Sequence, residues 1–206
     1  MKNIVRDPYF YEDANVLKNL LNINDAKLLE EAESNITYIK LLDVDKLIEN
    51  SDFSIDYIKH LHKYIFGDIY EWAGQFRTIP MVKGERVLGG DTIRYSLPDN
   101  IENDLIATVG ELKSVKWSEL SIDETADMFA RKIAAVWQVH PFREGNTRTI
   151  ITYATQFAMT YGFKMDKQLL KESAGYVRDA LVKASDGEYA EYHYLIRIFK
   201  DAIVNG

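Results

Sequence analysis

The chain has no cysteine. That excludes a disulfide framework and thiol chemistry, and it suits a reducing compartment, so a cytoplasmic protein is expected. Positive charge is also short: Lys and Arg number 25 against 32 Asp and Glu, a net charge of −7. A chain of that sign lacks the field that nonspecific nucleic-acid binding needs. No uncharged apolar run approaches the ~20 residues of a membrane span, and Met1 to Phe10 has no apolar signal-peptide core. Partners of the nucleic-acid and membrane classes are therefore not expected. Repeats, low-complexity tracts and linkers are missing as well.

What remains is a 206-residue chain with 47% hydrophobic residues, enough to bury a core and read most simply as a single domain, 1–206. One stretch stands out: His140-Pro141-Phe142-Arg143-Glu144-Gly145-Asn146-Thr147-Arg148. An apolar segment, Lys132 to Val139, runs into it, and a semi-apolar one, Thr149 to Met165, runs out. Pro141 biases His140 away from the α region, so the first helix should stop near Val139. Gly145 opens backbone shapes closed to other residues. The helix that follows starts with unpaired N–H groups, which together with the helix dipole attract phosphate.

The side chains suit the same purpose. Arg148 can clamp an anion with two donors, and Asn146 can add a neutral one. Glu144 offers a hard oxygen of the kind Mg²⁺ takes when it is shared with phosphates. His140, with an ordinary pKa near ~6.5, could take a proton from a hydroxyl. Plainer roles exist for each: a capping His, a Glu on a helix dipole, an exposed Arg, a turn Gly. Spacing alone does not separate the two sets. A zinc site at His140 and Glu144 fits worse, because Pro141 breaks the helix that would align them and no other His is near.

The stretch resembles the signature of the Fic family, His-x-Phe-x-(Asp/Glu)-Gly-Asn-Gly-Arg-x-x-Arg. His140, Phe142, Glu144, Gly145, Asn146 and Arg148 match, while Thr147 replaces the second Gly and Ile151 the second Arg. Phe66-Gly67-Asp68-Ile69-Tyr70-Glu71-Trp72-Ala73-Gly74-Gln75-Phe76-Arg77-Thr78 resembles the segment leading into the family's flap, and Asp7-Pro8-Tyr9 through Asn19 its N-terminus. The resemblance implies a mainly helical, all-α Fic fold with a β-hairpin flap. It implies transfer of AMP from ATP to a Ser, Thr or Tyr hydroxyl of a target protein. In that scheme His140 is the base, and Glu144 holds Mg²⁺. Gly145, Asn146, Thr147 and Arg148 bind the nucleotide, and Lys83 and Gly84 touch it from the flap. The resemblance leaves room for a separate inhibitor protein. It also implies two rivals: phosphoryl transfer of the Doc type, and a catalytically weakened interaction module. Many relatives are held off by a Glu, in (Ser/Thr)-x-x-x-Glu-(Gly/Asn), that grips the second Arg. Here Leu29 stands where the Ser or Thr would precede Glu33, and Ile151 cannot pair, so substituting Glu30, Glu31 or Glu33 one at a time is not expected to raise activity.

The remainder reads as scaffold. Residues 1–23 form an arm. A helix is expected from Asp25 to about Ile48, with Leu28, Ile36, Ile39 and Leu42 among its apolar positions. Ser54 to Ile65 is a second, whose His60 and His62 read as exposed or packed. Gly89-Gly90, between Arg86-Val87-Leu88 and Asp91-Thr92-Ile93, signals a hairpin within 78–97. Pro98 opens a helix to about Leu112, Ser121 to Glu124 is a capping box, and Gly162 fits a C-cap. Two further helices are expected at about 166–185 and 187–204, with Gly175 a weak point in the first.

Overall fold

The computed structural model describes residues 7–204 of the chain. The capping box forms: Glu124 N–H donates to Ser121 Oγ, and Glu124 Oε2 accepts from Ser121 N–H at 2.9 Å. It opens α4 (Ile122–Val139), whose Ala126, Phe129, Ile133 and Trp137 are all fully buried. Around α4 pack α3 (Ile101–Ser114), α5 (Asn146–Thr160), α7 (Ala174–Ala184) and α8 (His193–Ala202). Helix α2 (Ile55–Phe66) packs on α5, and α1 (Ala26–Leu42) covers α2. The fold is mainly helical, as expected.

Several boundaries differ from the sequence reading. The first helix ends at Leu42 and gives way to a 3₁₀ turn, Val44–Asn50. Its inward face is Leu29, Glu33 and Thr37, whereas Leu28, Ile39 and Leu42 are exposed. The helix turns a partly polar face inward because that face borders the polar turn after α4. The helix expected over 166–185 is two: α6 (Lys167–Glu172), then α7, broken at Ser173 just before Gly175. Gly162, at φ 96°, follows the end of α5 as the C-cap signal predicts. Among the described residues a strand ladder joins β1 (Lys164–Met165) to β2 (Ile203–Val204) in antiparallel register, at a place the sequence pattern did not mark.

The flap corrects the hairpin expectation. Residues 78–97 fold back on themselves, but they hold no strand ladder. Gly90 N–H donates to Glu85 C=O at 3.0 Å, and Glu85 N–H donates to Asp91 C=O at 2.8 Å. Between them lies a 3₁₀ turn, Arg86–Leu88. Side chains brace the segment instead. Glu85 is buried and accepts from Tyr95 Oη at 3.0 Å and from Arg178 Nη2 of α7 at 2.8 Å. Arg86 pairs with Asp179 on the same helix.

Of the arm, residues 1–6 lie outside the described residues. From Asp7 onward it lies on the domain: Tyr9 packs edge-on against Trp72, and Leu20 N–H donates to Ile69 C=O at 2.8 Å.

Candidate active site

Helix α4 ends at Val139, and His140 takes the left-handed conformation, φ 52° and ψ 58°, with its N–H donating to Trp137 C=O at 3.0 Å. Pro141 closes the α region to the residue before it, so the helix turns off at this point. Phe142 is fully buried and stacks on His62 at a ring separation of 3.7 Å. Gly145, at φ 79°, caps α5. A Cβ there would lie 2.3 Å from the Phe66 ring, so both the backbone angle and the space require glycine.

Asn146 also has a structural role. Its side chain accepts from Phe142 N–H at 2.9 Å and donates to Phe142 C=O at 2.8 Å. The amide therefore staples the turn. Thr147 lines the cleft, and its Oγ1 accepts from Trp137 Nε1 at 3.0 Å. The first-turn N–H groups of α5 are suited to an anion.

Charge converges on Glu144. Burial pushes its pKa up, but the charge of Lys83, the N–H of Gly145 at 2.9 Å, Arg148 and Arg143 outweigh burial and hold it below the ordinary carboxylate value. It is an ionised carboxylate among cations. His140 is 3% exposed, and neither ring nitrogen has a hydrogen-bond partner. Burial first, then the charges of Lys83, Arg77 and Arg178, hold its pKa well below the ordinary value. The imidazole is neutral and able to accept a proton, with the Tyr95 ring 4.2 Å away across its face. Lys83 thus belongs to the site through its charge on both residues, whereas Gly84 sits at the exposed outer turn beside Gly90.

Arg148 faces a cleft of about 1080 Å³, lined also by Glu144, Thr147, Ile151 and Arg178. It is already engaged: Nη2 pairs with Glu33 of α1, Nη1 donates to Thr37 Oγ1 at 2.9 Å, and its guanidinium lies over the Phe66 ring at 4.8 Å. Glu33 also accepts from Tyr70 Oη. So Glu33, for which the sequence suggests no role, holds the first Arg of the signature, not the missing second. Ile151 is packed along the same cleft.

Sequence reasoning missed other members of the site. Asp7 pairs with Arg143 at 2.8 Å. Arg178 reaches in from α7. His62 is buried, one of the two plain placements expected, and it also supports the turn. Gly74 N–H donates to its Nδ1 at 2.8 Å, so Nε2 carries the proton and donates to Glu144 C=O at 3.0 Å. A signal existed for Glu33 and Thr37: they follow Leu29 at intervals of four, one stripe of a helix. For Arg178 and Asp7 the local sequence holds none.

The Fic/DOC family profile matches residues 52–158. The protein adenylyltransferase VbhT of Bartonella schoenbuchensis is 34% identical over 160 residues, which cover 78% of this chain but 32% of that protein. The probable protein adenylyltransferase y4lH of Sinorhizobium fredii is 30% identical over 192 residues, covering 91% of this chain and 93% of that one. Among solved structures, BepC of Bartonella tribocorum with bound AMPPNP superposes with a TM-score of 0.79 at 20% identity, covering 96% of this chain and 97% of BepC. An N-terminal Fic domain from Bartonella quintana with bound ADP gives 0.78 at 23% identity, with coverage of 95% and 94%. A profile match over half the chain, a relative matched along nearly its whole length and a shared helical fold lead to one conclusion: this chain belongs to the Fic/DOC family.

Proposed function

We propose that the protein is an adenylyltransferase that moves AMP from ATP to a hydroxyl side chain of a target protein, acting as one Fic-type domain. One observation carries this reading: at a single turn, a neutral imidazole and an ionised carboxylate sit beside a helix N-terminus and a ring of cations. The target hydroxyl attacks the α-phosphorus, and its proton passes to His140. The bond from the α-phosphorus to the bridging oxygen breaks, and pyrophosphate leaves. Developing negative charge is met by the N–H groups of α5, by Arg148 and by Lys83. Such catalysis consists of positioning and electrostatic stabilisation.

Among the described residues no group of three or more His, Cys, Asp or Glu converges as a metal cage. Glu144 alone fits Mg²⁺, which keeps several waters and takes one or two carboxylates along with substrate phosphates. Bound there, Mg²⁺ would neutralise charge on the phosphates and the leaving pyrophosphate. Arg148 must exchange Glu33 for a phosphate before it can help. Among the described residues no helix is long and apolar enough to cross a membrane.

Incubation with α-labelled ATP, Mg²⁺ and a cell lysate tests the reading. Label retained on protein, with a mass increase of one AMP, is expected. His140→Ala should abolish labelling while the protein stays folded. Label transferred from the γ-phosphate instead would mean phosphoryl transfer, and undiminished labelling by folded His140→Ala would remove His140 from the base role.

A further inference from the structure

Arg77 lies at the start of the flap and is 2% exposed. A guanidinium this deep ordinarily has a carboxylate partner. Among the described residues Arg77 has none; it donates to three backbone carbonyls. Nε donates to His140 C=O at 2.8 Å, Nη1 to Ile79 C=O at 2.7 Å, and Nη2 to Ser96 C=O. Its own N–H donates to Pro141 C=O at 2.8 Å. Ile79 and Ser96 are the two legs of the flap where they leave the domain. His140 and Pro141 are the catalytic turn. The far leg is anchored in turn, because Ser96 Oγ donates to Asp104 of α3 at 2.6 Å.

We propose that Arg77 is a positioning residue that ties both legs of the flap to the backbone of His140, so that flap posture and base alignment are set together. The chemistry of the side chain supports this. A guanidinium carries five N–H donors in one rigid plane, so three acceptors held by it keep fixed mutual positions. A Lys ammonium has the same charge but cannot span three separated carbonyls in a plane. His140 is held in the left-handed region, where backbone geometry persists only when its surroundings enforce it. The bond from Arg77 to its carbonyl is part of that enforcement. A protein segment that settles on the flap therefore shifts the same group that orients the base.

The tie can be tested without any transfer activity. Hydrogen–deuterium exchange of Arg77→Lys should speed up together in residues 78–97 and 140–146, with α8 unchanged. Faster exchange in the flap alone, or in neither segment, would overturn the proposal. The consequence for reaction rests on the adenylyl-transfer reading. With α-labelled ATP and lysate, Arg77→Lys should keep its apparent KM for ATP within about threefold and lose roughly 10- to 100-fold in maximal labelling rate. Undiminished rate, or ATP affinity lost in proportion to rate, would count against it. A wild-type protein that labels nothing would sink the transfer reading, and the exchange experiment would still decide the tie. Should Arg77→Lys not fold, Ser96→Ala frees the far leg from Asp104 while its carbonyl stays on Arg77. Exchange should then speed up in both segments, in smaller measure, and faster exchange in 78–97 alone, or no change in either segment, would overturn the proposal.

Discussion

His140 is usable as a base because it is kept neutral. A base whose pKa lies well below 6.5 stays deprotonated as the pH falls through that value. The acid limb of kcat/KM for ATP should therefore fall well below pH 6.5, and Lys83→Met should move it upward by removing a nearby positive charge. A limb at pH 6.5 that Lys83→Met does not shift would show that the imidazole works in a more solvated state. Glu33 sets the second residue-scale expectation. Nothing in the sequence pattern predicts an effect there, but its pairing with Arg148 reverses that reading. Glu33→Gln keeps the shape and removes the competing charge, so ATP should bind about tenfold more tightly, roughly 1.4 kcal/mol. Calorimetry with ATP would show an unchanged Kd if Arg148 does not reach a phosphate. Among residues, the signature itself was legible because its chemistry is contiguous. Its partners were not, since Glu33, Arg178 and Asp7 meet it only through packing.

Among the elements, the flap is where pattern and structure part. Gly89 and Gly90 do take positive φ, at 67° and 101°, as a hairpin turn requires. The legs are nevertheless held by Glu85 and Arg86 on α7, a demand of side-chain burial that period-two patterning does not report. Glu85→Ala would leave Arg178 and Tyr95 without their acceptor. Breaking a buried pair costs about 3–5 kcal/mol, and the partial exposure of Arg178 discounts that to roughly 2 kcal/mol. A lowered Tm, with faster exchange confined to the flap and α7, is the expected outcome; an unchanged Tm would mean the brace carries no load. Helices were legible where a cap or a strong stripe marked them, as in α4. The inward face of α1 does not follow its apolar positions, because the interior that Glu33 and Thr37 meet is a charged site.

The whole molecule answers to pH through His62. Burial first lowers its pKa to about 4, despite the hydrogen bond to Glu144 C=O. The unfolded chain takes up a proton below about 6.5, and the folded one does not until about 4. Stability is thus full above pH 6.5 and is lost as the pH falls toward 4, on the order of 3 kcal/mol from this group. In His62→Gln the slope of stability against pH over that interval should shrink; a slope equal to the wild type's would assign it to other groups. The general architecture was readable from capping, stripes and turn residues. The arrangement of α1, α7 and the arm around one turn was not, because only the folded chain brings them together.

The left-handed backbone at His140 bears on the choice of an inactive control. An alanine placed at φ 52° adds backbone strain to the loss of the ring, so its defect mixes two causes. Glycine removes the ring and tolerates the angle, and asparagine tolerates it with a side chain of similar polarity. A catalytically dead protein meant to trap its target with the catalytic turn undisturbed is therefore better made as His140→Gly or His140→Asn. The difference in Tm between the alanine and glycine versions would measure how firmly the fold imposes that one dihedral angle.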